Sequence, residues 1–269
     1  MVRDPRGERD GRNGGGATGV ADPHCKRYSD IRRPHGCAPA EITPPVRDAS
    51  TIPVSDSTLE RFREAAASGR PTPAGVAVAA VSASFAFGLL AKVLAVSGRK
   101  DVRSENSAKL EPLTAAAVAE SSRMLQVAAD DIAAFGAYLA AARLPHSTDR
   151  ERRARQQARD SALRQAIDLP LAAARSTAAG LQLCADAVSM THLVVLADLA
   201  AAVTLLAGAL RAFLICAESN VRQLTPEVSS LREQLANEAD RHKPALRQAE
   251  EVLERIAAAL EAPGPTRES

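Results

Sequence analysis

From residue 57 onward, apolar positions recur at helical spacing in six blocks, separated by Gly, Pro and Ser/Thr breaks. The first block is short. Asp56-Ser57-Thr58-Leu59-Glu60 offers an N-cap with an acid in the first turn, Leu59, Phe62 and Ala66 share a face, and Gly69-Arg70-Pro71-Thr72-Pro73 ends it. The second block, about Ala74 to Ser97, is apolar nearly all round and predicts a central helix, stopped by Gly98-Arg99-Lys100. The third runs from about Glu105 to Arg143, with Leu113, Val118, Met124, Leu125, Ile132, Phe135 and Leu139 as its apolar positions and Pro112 near its start. The fourth runs from Asp149 to about Ala187, and Pro170 should kink or split it. The fifth covers roughly Thr191 to Asn220. The sixth, capped by Leu224-Thr225-Pro226-Glu227, reaches about Ala262 with one strongly charged side and is expected on the outside. No run alternates in the manner of a strand. The expected fold is all-α, a bundle of long antiparallel helices over residues 57–262.

Residues 1–56 show no such period. They hold seven of the 16 prolines and seven of the 15 glycines, and too little apolar surface to offset the entropy of ordering. They are expected to be a disordered tail, as is the short C-terminal stretch 263–269.

Composition sharpens the picture. Aromatic residues make up only 3% with no Trp, so the core must be Ala, Leu and Val, which suits close-packed helices rather than a sandwich or barrel. A formal net charge of +2 does not argue for nucleic acid as a partner. No signal peptide is visible. The run Ala74 to Ala91 has 18 residues without a charge, marginal for a membrane span, and reads as a buried helix. Cys184 and Cys216 read as small buried hydrophobes in a reducing compartment, and the expected location is cytoplasmic.

The chain has no Walker loop, no GxGxxG, no HExxH and no GxSxG. His24, Cys25, His35 and Cys37 match no zinc spacing, and no metal is expected. The informative residue is Asp131. It stands seven residues after Met124, within about 20° of the same helix face, with Phe135 and Tyr138 continuing that stripe. A carboxylate on a buried stripe must be paired or used. A structural Asp bonded to a neighbouring helix end or an Arg accounts for the position equally well. Asp198 is the lone charge between His192 and Arg211 and is expected to find a partner inside the bundle. Asn220 could be a C-terminal cap. Asp149 to Arg164 holds six arginines against three acids, a solvated face or a dock for a polyanion.

Taken in order, Pro71-Thr72-Pro73, Gly98-Arg99-Lys100, Asp131-Ile132-Ala133-Ala134-Phe135, Leu144-Pro145-His146-Ser147-Thr148, Asp168-Leu169-Pro170-Leu171, Asp198 and Asn220 resemble the formiminotetrahydrofolate cyclodeaminase and methenyltetrahydrofolate cyclohydrolase family over about residues 57–260. The resemblance implies an all-helical homodimer, a tetrahydrofolate substrate that can carry a polyglutamate tail, and no other cofactor, metal, nucleic acid or membrane. It implies Asp131 as acid or base, Lys100 as a catalytic partner that orients the folate or its charge, and Thr72, Pro73, Gly75, Arg99, Asp198 and Asn220 around the substrate. The chain also departs from the pattern. Ala74-Gly75-Val76-Ala77 stands where glycines dominate, and Ala95-Val96-Ser97, Thr191-His192 and Cys216 stand at positions that carry asparagine. Two readings follow: an enzyme that hydrolyses methenyltetrahydrofolate or deaminates formiminotetrahydrofolate, or a non-catalytic dimer that binds folate or a partner protein.

Overall fold

The computed structural model describes residues 54–100, 105–222 and 229–261. The chain forms α1 (Leu59–Ala67), α2 (Gly75–Lys100), α3 (Glu105–Ala142), α4 (Asp149–Ala187), α5 (Leu196–Val221) and α6 (Ser229–Glu261), with short 3-10 turns at Val54–Asp56, Val188–Met190 and Leu193–Val195. No strand occurs among the described residues. Most of the expected tail and all of 263–269 lie outside them, as does the expected cap at Leu224 to Glu227. The 3-10 turn at Val54–Asp56, which falls within the expected tail, packs against α3.

Local chemistry sets the helix ends. Thr58 caps α1 by accepting the Arg61 N–H at 3.2 Å. Thr148 caps α4 through a full capping box, in which Glu151 reaches back to the backbone N–H groups of Ser147 and Thr148. Those donors, together with the Thr148 side chain, hold the Glu151 carboxyl below its usual range against a small effect of burial. Gly98 does not stop α2: the helix runs on to Lys100, so its last turn contains both cations.

Helices α2, α3, α4 and α5 pack as successive antiparallel neighbours around an alanine-rich core. Ala77, Ala80, Ala83 and Ala86 of α2 are fully buried, which lets helix axes approach closely. Ser84 and Ser121 lock α2 to α3 by each donating to the other's carbonyl, at 2.8 and 2.9 Å. Gly180 of α4 leaves room for the Phe87 ring, since a Cβ there would lie 2.5 Å from it. In α3 the buried stripe is Leu110, Ala117, Met124, Asp131, a seven-residue repeat. Val118, expected inside, is 53% exposed because its neighbour Ala117 occupies the inward position. Leu59, on the apolar face it shares with Phe62 and Ala66 in α1, is 64% exposed.

Helix α6 lies across α4 and α5 as expected, but its inner face is not wholly apolar. Glu238 and His242 are buried there, with Arg175 of α4 bonded to Glu238 at 3.0 Å. Burial pushes the Glu238 pKa up, yet the bond and charge of Arg175, with His242 and Arg241, bring it below the usual carboxylate range. Helix α2 and the stretch Leu193–Val221 are long and apolar enough to cross a bilayer. Their most apolar windows are 67% and 50% buried inside the bundle.

Candidate active site

The loop Gly69 to Pro73 delivers the chain to α2 with a cis Thr72-Pro73 bond. Ala74 accepts the first intrahelical bond, from Val78 at 3.0 Å, but has no side chain able to cap. The missing cap comes from another helix. Asp131 of α3, only 8% exposed, faces the Ala77 backbone N–H in the first turn of α2. Burial raises the Asp131 pKa from 3.8 to about 6, with the Ala77 N–H holding it down in part. Asp131 thus meets the structural expectation, a bond to a neighbouring helix end, and also holds a pKa near neutrality.

Asp131 forms the polar wall of a cavity of about 180 Å³, whose other walls include Thr72, Gly75, Val76, Phe135, Tyr138 and Asn220. Gly75 leaves room here, since a Cβ would stand 2.8 Å from the Cys216 Sγ and would force it to shift. Cys216, expected to be fully buried, is half-buried: it packs against the core and also lines this cavity. Burial, then the Asp131 charge, push its thiol pKa up, so it is a poor nucleophile. Val76 is 5% exposed and its β-branched side chain takes up wall space.

Asn220 is placed by an unexpected device. Pro170 sits inside a continuous α4 and has no N–H, so the Ala166 carbonyl four residues earlier loses its helical donor. Asn220 Nδ2 donates to that carbonyl at 2.8 Å. The amide is thereby oriented, and Asn220 lines the cavity. Asn220 does not cap α5, which continues to Val221.

The structure therefore brings Thr72, Gly75, Asp131 and Asn220 together, with Pro73 in the adjoining loop. It separates the others. Lys100 and Arg99 end α2 twenty-three and twenty-two residues after Ala77, about 35 Å along the axis. Within one chain they do not share the Asp131 cavity. Asp198 is also apart, paired with Lys92 at 2.7 Å and 36% exposed, so its partner lies at the surface rather than inside. The departures at Ser97 and His192 meet near that same end, where the His192 N–H donates to Ser97 Oγ at 3.0 Å. Phe135 and Tyr138 stood on the predicted stripe. Leu163, Ala166 and Ser219, the other contributions from α4 and α5, carried no signal in sequence. Among the described residues no group of three His, Cys, Asp or Glu could hold a metal ion.

An all-helical bundle with one carboxylate held near neutral pKa, at a helix N-terminus on a cavity wall, defines a class of acid–base site. The chain belongs to the formiminotransferase-cyclodeaminase family, whose model matches residues 58–241. It is similar to the methenyltetrahydrofolate cyclohydrolase of Methylorubrum extorquens, with 33% identity over 120 residues. That match takes in 45% of this chain and spans 58% of the relative's length. The crystal structure of formiminotetrahydrofolate cyclodeaminase from Thermotoga maritima has the same fold, with a TM-score of 0.63 at 16% identity over 77% of this chain and 98% of that one.

Proposed function

We propose that this chain is a methenyltetrahydrofolate cyclohydrolase, with Asp131 as its general base and acid. The observation that carries the reading is the buried Asp131 carboxylate, its pKa raised to about 6, on the wall of a shaped cavity. The similarity to a cyclohydrolase supports it. In methenyltetrahydrofolate the reacting carbon lies between two nitrogens of a cationic amidinium. Ionised Asp131 takes a proton from a water molecule as its oxygen bonds to that carbon. The resulting hydroxyl-bearing carbon collapses: its O–H proton leaves, the carbon–oxygen double bond forms, and the bond from that carbon to one ring nitrogen breaks. Protonated Asp131 supplies the proton this nitrogen needs. The sum is methenyl cation plus water giving formyl product and one proton. The folate carries its own electrophile, so this sequence of steps calls on no metal or further cofactor. A base works best with a pKa near the operating pH, and burial provides that here. Asn220 and the helix-end backbone near Gly75 would orient the ligand.

We further propose residues 57–262 as the working domain of a cytoplasmic homodimer. Phe85 of α2 and Leu205 of α5 face each other in the antiparallel register set by Gly75 with Cys216 and Lys92 with Asp198. With Val78 and Ile215 they leave an apolar strip on the surface, Phe85 being 59% and Ile215 66% exposed. A second copy covering that strip would bury it.

A competing reading is a non-catalytic dimer, favoured by the Val76 side chain in the cavity wall. Turnover decides between them. The full chain should accelerate loss of the methenyl chromophore, and Asp131→Asn should abolish the acceleration. A wild-type protein without turnover on either methenyl- or formiminotetrahydrofolate would leave the binding role.

A further inference from the structure

Two arginines of α4 differ from the rest of their basic stretch. Arg150, Arg152, Arg153 and Arg164 are solvated, as a charged face should be. Arg155 and Arg159 are turned partly inward, and the Nε of each is buried with no hydrogen-bond partner. Among the described residues neither forms an ion pair. A buried guanidinium N–H without an acceptor is costly, and native structures rarely leave one so. Neither Nε finds its acceptor among the described residues.

Their position bears on which acceptor they could meet. Arg155, Arg159 and Leu163 succeed one another at four-residue steps, with Ala166 on the same face, and Leu163 and Ala166 both line the Asp131 cavity. Arg159 also reaches across to α3. Its Nη2 donates to the Tyr138 hydroxyl at 3.1 Å, and its guanidinium lies 5.5 Å from the centre of that ring. Tyr138 itself lines the cavity. So α3 and α4 together lay out a line of chemistry: a carboxylate at Asp131, an aromatic wall at Phe135 and Tyr138, with ring centroids 6.2 Å apart, then two cations. Asp131 and Tyr138 are seven residues apart, about 10 Å along the helix.

We propose that Arg159 and Arg155 form a carboxylate-binding subsite at the outer end of the Asp131 cavity, and that it takes the glutamate end of the folate. This rests on the folate reading above. In tetrahydrofolate a para-substituted benzoyl ring and an amide separate the reacting centre from the glutamate carboxylates, which matches the order carboxylate, aromatic wall, cations. A planar guanidinium with free N–H groups suits a carboxylate, and Tyr138 holds Arg159 ready for it.

The test compares two substrates on the full chain: methenyltetrahydrofolate, and the same compound lacking its glutamate (methenyltetrahydropteroate). Arg155→Met and Arg159→Met keep the aliphatic bulk and remove the charge. Each should raise KM for the glutamate-bearing substrate roughly tenfold or more, with little change in kcat. Neither should change KM for the tail-less substrate. Arg159→Lys should recover only part of the loss. Equal KM changes for both substrates, or none for either, overturn the subsite, and matched thermal melts identify a variant that merely misfolds. If wild type turns over neither substrate, the cyclohydrolase reading fails by itself. Calorimetric binding of p-aminobenzoylglutamate then decides the subsite. Binding lost in both Met variants upholds it, and no binding by wild type, or binding indifferent to the substitutions, removes it.

Discussion

At the scale of the residue, Asp131 both caps α2 and, through its burial, holds its proton up to about pH 6, and these two effects have opposite signs in stability. Its folded pKa, about 6, lies above the ordinary 3.8. The fold therefore favours the protonated form. The stability this provides is complete below pH 4 and is lost as pH rises through 6. At pH 8 the ionised carboxylate costs on the order of 2–3 kcal/mol. Asp131→Asn removes that charge and keeps an acceptor for the Ala77 N–H. It should raise stability by about that amount at pH 8 and by little at pH 4, as read from denaturant melts at the two pH values. The same variant should lose about 10²-fold to 10⁴-fold in turnover. A carboxylate retained only as a cap would show no loss of rate in this variant. The wild-type kcat/KM should fall on the acid side with an apparent pKa near 6, since the working form is ionised.

Asp131 was legible because a charge on a heptad-spaced apolar stripe stands out against its helix. The separation of Lys100 and Asp198 from Asp131 within one chain was not legible, because the order of residues along a chain does not say which end of a 26-residue helix meets a given neighbour. Cys216, Leu163 and Ala166 are ordinary apolar residues that only the packing of α4 and α5 brings to the cavity.

At the scale of the element, two close contacts govern how helices meet. Gly180→Ala would push a methyl group against the buried Phe87 ring. It should cost about 1–3 kcal/mol by overpacking, and Phe87→Leu in the same chain should recover part of that in thermal melts. Pro170 and Asn220 make a pair across α4 and α5. Asn220→Ala orphans the Ala166 carbonyl and should destabilise by about 1–3 kcal/mol while raising KM. Pro170→Ala returns an N–H to that carbonyl, so it should raise KM by releasing Asn220 without the loss of stability. Similar destabilisation by both would show that the carbonyl does not couple them. The helices themselves were readable from apolar period and capping residues, with α4 matching at both ends. The continuity of α4 through Pro170 was not, because the compensating donor comes from a helix fifty residues later.

At the scale of the whole molecule, the bundle leaves one apolar strip uncovered where α2 and α5 lie side by side. In the proposed homodimer this strip is the contact between copies. Phe85→Glu should convert a dimer to a monomer in sedimentation velocity while leaving helicity intact. A wild-type protein that sediments as a monomer at micromolar concentration would contradict that arrangement.

The account as a whole turns on whether this cavity performs chemistry. The most direct measurement follows the methenyl chromophore of methenyltetrahydrofolate with the full 269-residue chain and with its Asp131→Asn variant, side by side at pH 7.5 or so, above the uncatalysed rate. Decay that depends on wild-type enzyme and disappears in a variant at least as stable is the predicted result. Equal decay with both proteins, or with neither while the helices are intact, would contradict it.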